Sequence, residues 1–373
     1  MADSSSDVRS DIVLAHDAEW QHDEGNELAT PALVVDLAAF DHNLAAVENL
    51  LRGTGKLLRP HVKTHRTSAL TLRQMGPIAS GVTCATVREA EVMAAAGIKD
   101  LLLANEIVTA QKIDRMVALA KHGRTILAVD SDEGVAALST AAKNAGVTID
   151  VLVDIDVGLG RCGVGNVSRA CEMAIAISHT HALRFAGLMG YEGRVRASAA
   201  DRSARISRSF VLLAEAKAVI QAAGLEVGIV SAAGTSTLPE AARDPTITEI
   251  QAGTYALMEP DLEGLGLPFR CALFIIATVI SRSAGRVVLD AGRRTAGCDN
   301  GLPIALDPRA HTKSAGDEHV TLEWKGDLPP LGGQVRLRPT QNRTTFNLYH
   351  QVWLMRDERI VGRYPVDAQG GSQ

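Results

Sequence analysis

A lysine set between two histidines, in Pro60-His61-Val62-Lys63-Thr64-His65, is the richest chemical arrangement in this sequence. With the two-residue period of a strand, His61, Lys63 and His65 share one face. An ε-amine taken out of water can condense with a carbonyl to form a Schiff base. Far along the chain lie two segments of glycine and hydroxyl residues, Ser231-Ala232-Ala233-Gly234-Thr235-Ser236-Thr237 and Gln251-Ala252-Gly253-Thr254-Tyr255. Backbone N–H groups in turns of this kind can approach an anion closely. An amine for an aldehyde and two turns for a phosphate together describe pyridoxal 5'-phosphate. Ser231, Gly234, Thr235, Gly253, Thr254 and Tyr255 are its expected contacts away from Lys63. A sugar phosphate that condenses directly with the lysine is the alternative ligand for the same groups.

These residues need a scaffold that brings positions nearly two hundred apart to one place. After a helix at 37–51, short apolar runs at 57–65, 81–87, 100–107, 125–130, 150–157, 184–192, 226–233 and 248–258 alternate with Ala-rich helical stretches at 88–96, 110–122, 132–145, 168–179 and about 200–223. Parallel strands with helical crossovers read this way, and eight of them close a barrel. The expectation is an α/β fold, a (β/α)8 TIM-type barrel over 30–266, preceded by a polar segment, 1–29, part of which joins the β-domain. Active sites of such barrels gather at the carboxyl ends of the strands, with phosphate held after the seventh and eighth. Either glycine segment alone is an ordinary tight turn, but the pair falls near those two positions. No strand is followed by G-x-G-x-x-G with an acidic residue downstream, so a doubly wound dinucleotide fold lacks its signature. Past Pro268 the runs 272–283, 286–290, 319–324, 334–338, 350–356 and 359–363 carry no convincing helix between them. They predict an all-β domain over 267–373 that covers the active site and excludes water.

Composition removes several function classes. Net charge is −5, from 38 basic and 43 acidic residues, and 3% of residues are aromatic. Neither a phosphate-backbone track nor a base-stacking platform is supported, so no nucleic-acid partner is expected. The apolar run at 271–280 is far short of the roughly 18 to 20 residues that cross a bilayer, so no membrane partner is expected either. Five cysteines, an odd number without a C-x-x-C pair, argue against a disulfide framework and a structural zinc site and fit a cytoplasmic protein.

Four blocks, in order and with matching spacing, carry a family resemblance: Thr30-Pro31-Ala32-Leu33-Val34-Val35-Asp36, the Lys63 segment, Asp154-Ile155-Asp156-Val157-Gly158-Leu159-Gly160-Arg161-Cys162-Gly163-Val164, and Gly187-Leu188-Met189-Gly190-Tyr191-Glu192-Gly193. The chain resembles the D-threonine aldolase and eukaryotic-type D-serine dehydratase group of alanine-racemase-like, fold type III pyridoxal-phosphate enzymes. The resemblance implies a Schiff base on Lys63, phosphate contacts from the two glycine turns, and a homodimer. It marks Arg161 as a cofactor-proximal arginine, and Tyr191 is expected to stack on or hydrogen-bond to the cofactor. Asn105, at a strand end, is expected to cap the next helix.

The departures from the family bear on the reaction. Members of the aldolase and dehydratase type carry a His-x-Cys or His-x-Asp pair for a divalent metal where this sequence has Gln341 and Arg343. A neutral amide ligates poorly and a guanidinium not at all, so no metal is expected there. Arg194 stands where related aldolases often have His. Arg194, Gln341 and Arg343 are read as substrate-binding, with the arginines suited to a side-chain carboxylate. Without the metal, a base must take the β-hydroxyl proton; His65 and His319 are the candidates. The implied reaction is carbon–carbon lysis, or aldol transfer, of a D-configured β-hydroxy-α-amino acid, giving glycine and an aldehyde. Racemisation or dehydration of an amino acid are the alternatives, and a non-catalytic cofactor carrier is a third.

Overall fold

The computed structural model describes residues 28–193, 195 and 200–370. The chain divides into two compact units. One comprises the described residues up to His42 with Leu257–Pro260 and Arg270–Gln369; the other comprises Asn43–Ala256, Asp261–Phe269 and Gly370.

The first strand, β1 (Ala32–Asp36), belongs to the β-rich unit, which corrects the expectation that the barrel begins at residue 30. Val34 faces both Phe274 and Trp353 across its two neighbouring strands. A run of four buried apolar residues, Ala32 to Val35, suits a central strand of either sheet, so its sequence does not say which one it joins.

The barrel strands are β2 (Leu57–Leu58), β3 (Val82–Cys84), β4 (Asp100–Leu103), β5 (Arg124–Val129), β6 (Ile149–Asp154), β7 (Leu183–Gly190), β8 (Ile229–Ala232) and β9 (Glu249–Ile250). They form one eight-stranded parallel sheet in the order β2-β9-β8-β7-β6-β5-β4-β3. Between its end strands, the single bridges Leu58–Ala79 and His61–Thr83 complete the circle, and Thr83 N–H donates to Pro60 O at 2.9 Å. All six residues of β6 are buried, as expected for a strand covered on both faces. Leu102, Ile126, Ala128, Leu152 and Met189 form one core cluster across four adjacent strands.

Local sequence starts and stops the surrounding helices. Thr86, Ser131 and Asn166 each accept a backbone N–H of the first turn of Val87–Ala95, Asp132–Ala145 and Val167–Ser178. The helices Leu37–Leu51, Ala110–Leu119 and Arg202–Ala222 lie where the sequence predicts them.

The amino-terminal end of the barrel is an ion-paired belt. Arg59, with a fully buried side chain, meets Asp100 at 2.6 Å and Glu249 at 2.8 Å. Arg124 joins Asp100 to Asp150, and Arg184 closes on Asp150 at 2.6 Å. Ser80 and Ser231 donate to Glu249 at 2.7 Å each. Burial raises the cost of a charged Glu249, but Arg59 and these hydroxyls outweigh it and hold the carboxyl below its usual range. Gly81 is required here: a Cβ would lie 2.5 Å from Arg59 Nη1 and 2.4 Å from Asp100 O.

In the other unit β10 (Leu273–Ser283), β11 (Arg286–Leu289), β12 (Ile304–Ala305), β13 (Ala310–Ala315), β14 (Val320–Trp324), β15 (Gln334–Arg338), β16 (Gln351–Arg356) and β17 (Arg359–Pro365) join β1 in a nine-stranded sheet. The long strand β10 pairs with β1 and β15 through its first half and with β11 after an irregularity at Val279/Ser281. Ala32, Val34, Phe274, Ile276 and Met355 pack as a core with Leu28 and Trp353. Strands β12 and β13 and the short helix Asn342–Asn347 are absent from the sequence reading. The polar run Ala310-His311-Thr312-Lys313-Ser314-Ala315 has little apolar alternation, so only pairing with β14 defines it.

Candidate active site

Lys63 is not on a strand. The strand ends at Leu58, and Val62–Thr64 is a single 3₁₀ turn. The period-two argument for His61, Lys63 and His65 is therefore corrected: the turn separates them, with Lys63 half-buried and both histidines buried. Lys63 Nζ lies 5.7 Å from the centroid of the Tyr191 ring, and Arg161 Cζ lies 5.8 Å from the same centroid. Two cations thus share one aromatic ring. On another side, Lys63 is within electrostatic reach of Glu89. That buried carboxyl is raised by burial, opposed by the Ala85 N–H, which donates to it at 2.6 Å, and by Arg66 at 3.1 Å.

His65 is fully enclosed. Thr67 N–H donates to its Nδ1 at 3.2 Å, so the ring proton sits on Nε2, which donates to Gln74 Oε1 at 2.8 Å. Gln74 Nε2 donates in turn to the hydroxyl of Tyr255 at 2.9 Å. Both ring nitrogens are occupied by hydrogen bonds that hold the turn, an arrangement that differs from the free base expected from sequence. Tyr255 is likewise buried, with its ring 5.7 Å from that of Phe269 and its phenol pushed up by burial. Its side chain is core; only its backbone N–H reaches the candidate site.

The two glycine segments do come together. Each forms a short 3₁₀ turn, Thr235–Thr237 after β8 and Thr254–Ala256 after β9. Tyr255 N–H ties them by donating to Thr235 Oγ1 at 2.9 Å. A Cβ on Gly253 would lie 2.5 Å from both His61 O and Thr64 Oγ1, so only glycine lets this turn close on the lysine turn. A Cβ on Gly234 would lie 3.4 Å from Tyr191 Cε2. The lysine turn, the two glycine turns and Tyr191 are consequently linked in one circuit. Glu192 secures the last link: Thr237 Oγ1 donates to it, and burial raises its carboxyl above the usual range. Ser231 is not part of the circuit, because its hydroxyl is committed to Glu249.

An aldehyde-bearing, phosphate-bearing ring fits these residues. Lys63 offers the amine, the closely packed glycine turns offer backbone, and the Tyr191 ring adjoins Lys63, Arg161 and the Gly234 turn. The remaining expectations fare differently. Arg194 lies outside the described residues. In the β-rich unit Gln341 precedes the helix Asn342–Asn347, and its Oε1 accepts from Arg343 Nε and Nη2, both at 3.2 Å. His319 is exposed in the turn between β13 and β14, where its carbonyl accepts Gly316 N–H at 2.8 Å. Asn105 does not cap a helix; its Nδ2 donates to Ala85 O at 3.0 Å.

Sequence reasoning missed an acidic group at the same end of the barrel. Glu106 and Asp130 follow β4 and β5, Asp154 ends β6, and Cys162 is in the loop beyond it. Burial first, then the neighbouring Glu106, raises Asp154 to about 8. Burial and Glu106 push the Cys162 thiol up to about 11. The Asp154-to-Val164 block carried these residues in plain view, but their meeting with Glu106 and Asp130 depends on strand order.

Comparison with known proteins agrees with this fold. Residues 35–259 match the alanine racemase N-terminal domain, and residues 272–355 match a putative serine dehydratase domain. The D-threonine aldolase of Arthrobacter sp is 35% identical over 92% of this chain and 93% of its own length. The 3-hydroxy-D-aspartate aldolase of Paracoccus denitrificans (strain Pd 1222) is 32% identical over 92% of this chain and 93% of its own. Among solved structures, D-threonine aldolase from Filomicrobium marinum superposes with a TM-score of 0.88 at 35% identity, covering 92% of this chain and 96% of that one. The chain belongs to the alanine-racemase-like family of pyridoxal-phosphate enzymes, within the group that holds the D-threonine aldolases.

Proposed function

We propose that this chain is a pyridoxal-phosphate-dependent lyase that cleaves the Cα–Cβ bond of a D-configured β-hydroxy-α-amino acid, releasing glycine and an aldehyde. One observation carries the reading: the Lys63 amine, Arg161 and the Gly234 turn converge on the Tyr191 ring, while the Gly253 turn packs directly on the lysine turn. The relatives named as D-threonine and 3-hydroxy-D-aspartate aldolases support the choice of reaction.

Lys63 would hold the cofactor's aldehyde carbon, the backbone at Gly234, Thr235, Gly253 and Thr254 its phosphate, and Tyr191 and Arg161 its ring. Bound there, the cofactor supplies a conjugated ring that accepts the electron pair of the breaking bond. The protein's own part is positioning and proton transfer. Lys63 Nζ would be the group placed to move a proton at the reacting carbon, with Glu89 within its electrostatic reach. His65, through Gln74 and Tyr255, holds the turn that aims Lys63. Tyr191 excludes water from one side of the amine. No divalent cation is assigned to positions 341 and 343, where Arg343 donates to Gln341. A homodimer in the cytoplasm completes the proposal. Five free cysteines support a reducing compartment, and no described helix is long and apolar enough to cross a membrane.

The test is product analysis of the purified protein with D- and L-threonine and with D- and L-3-hydroxyaspartate. Glycine and an aldehyde from D-substrates alone support the proposal. A 2-oxo acid with ammonia, or an inverted enantiomer, would replace it with dehydration or racemisation. Loss of the protein's near-visible absorption in Lys63→Ala checks the attachment, and a colourless wild type would favour a sugar-phosphate substrate.

A further inference from the structure

We propose that Arg202 is a positioning residue for the cofactor, one that holds the glycine turn after β8 closed and ties it to the segment after β7. The inference rests on the reading above, in which this turn carries the phosphate.

One guanidinium serves three parts of the barrel unit. Arg202 Nη1 donates to Val195 O at 2.6 Å, in the segment that follows Tyr191 and Glu192. Its Nη2 donates to Ser236 O at 2.7 Å, inside the turn Thr235–Thr237, and to Glu240 Oε1 at 2.7 Å, in the helix Leu238–Arg243 into which that turn runs. The side chain is 17% exposed, so these charge-assisted bonds are largely shielded from water. The planar fork of an arginine can reach two carbonyls at once, whereas a lysine presents one compact ammonium.

The bond to Ser236 O falls on the peptide unit that closes the turn. That unit also presents Thr237 N–H, which donates to Gly234 O at 3.2 Å. An N–H donates more strongly when the carbonyl of its own peptide accepts from a cation. Thr237 is held again through its side chain, where Oγ1 accepts Gly234 N–H at 3.2 Å and donates to Glu192. Glu192 lies just beyond β7, so the segment after that strand grips the turn twice, directly through Glu192 and through Arg202 from Val195. Closure at Gly234 bears on the site because a Cβ there would lie 3.4 Å from Tyr191 Cε2. Arg202 thus acts on the backbone assigned to the phosphate by fixing its shape.

Charge is not the means. The Glu240 carboxylate sits on the guanidinium at 2.7 Å, so the pair presents little net charge to an anion beyond the turn.

The experiment strips the full-length protein of cofactor and measures, by equilibrium dialysis, the affinity for pyridoxal 5'-phosphate and for pyridoxal, which keeps the aldehyde and ring but lacks the phosphate. The wild type should prefer the phosphate ester by about a hundredfold or more. Arg202→Ala should weaken the phosphate ester about tenfold or more and leave pyridoxal within about twofold. Arg202→Lys should remain about fivefold weaker than wild type for the phosphate ester alone, and it carries the same comparison if Arg202→Ala does not fold. Glu240→Gln, which keeps an acceptor and removes the charge, should stay within about threefold of wild type for both ligands. A wild-type preference retained in full by Arg202→Ala would overturn the proposal. Full recovery in Arg202→Lys, or a large change in Glu240→Gln, would overturn it in favour of charge, and equal losses for both ligands would overturn it in favour of general loosening. A wild type that does not distinguish the two ligands would remove the phosphate reading itself, and this inference with it.

Discussion

The two ends of the barrel treat charge in opposite ways. At the amino-terminal end, Arg59, Asp100, Arg124, Asp150, Arg184 and Glu249 form a chain in which acid alternates with base, and each close contact joins opposite signs. At the carboxyl end, Glu106, Asp130 and Asp154 cluster within reach of a single guanidinium, Arg161, which shares the Tyr191 ring with Lys63. Both ends are built from strands of the same sheet, so topology does not explain the contrast. A compensated belt resists change and supports the fold. An uncompensated arrangement is costly for stability and useful for binding charged groups or moving protons.

The contrast can be broken most forcefully at Lys63. Lys63→Ala should lower lyase turnover on the order of a thousandfold or more while leaving the melting temperature of the cofactor-free protein nearly unchanged. Steady-state kinetics and calorimetric melting separate the two effects; a large loss of stability would mean that Lys63 is structural.

Arg59→Ala should do the reverse. Removing one partner of a buried ion pair leaves Glu249 uncompensated and should cost about 3 to 5 kcal/mol, read by urea unfolding, with turnover per folded molecule retained. The double variant Arg59→Met, Glu249→Leu should recover much of that loss. If it does not, the belt contributes more than charge compensation.

A smaller effect is expected at Gly253. The Cβ in Gly253→Ala would meet His61 O and Thr64 Oγ1 at 2.5 Å, an overpacking of about 1 to 3 kcal/mol. Because it falls between the two turns proposed to hold phosphate and amine, it should weaken cofactor affinity about tenfold or more at equilibrium dialysis. Equal affinity would separate the Gly253 turn from the cofactor.

The mildest prediction is a slope. Asp154 is raised from the normal carboxylate range to about 8, so the native state holds its proton where the unfolded chain has lost it. Between about pH 4 and 8 the native state therefore binds more protons, and this group's contribution to stability falls as pH rises. Asp154→Asn, which cannot ionise, should flatten the fall of stability with pH over that window. Parallel wild-type and variant curves in chemical denaturation would show Asp154 to be ionised throughout.

Reading the residues in order located most of this. The alternation of apolar runs with capped helices marks the barrel, and Ser131 and Asn166 begin helices where the pattern puts them. The Gly234 and Gly253 segments are visible because glycine beside hydroxyls is rare outside tight turns. What misled was local period. Lys63 looked like one face of a strand because Leu57 and Leu58 lead into it, yet a 3₁₀ turn carries it. His65 looked like a base because nothing nearby in sequence reveals that Gln74 and Thr67 take both its nitrogens. Ser231 and Tyr255 looked like ligands by proximity to the turns, but one is held by Glu249 and the other is core.

The sequence by itself determined the sheet-and-crossover architecture, the lysine and the pair of glycine turns. These rest on residue type and local spacing. Only the tertiary structure decided that β1 joins the other unit, that the belt is compensated, and that Glu106, Asp130, Asp154 and Cys162 meet. Each depends on which strands become neighbours and in what register, a long-range choice made by the whole packed core.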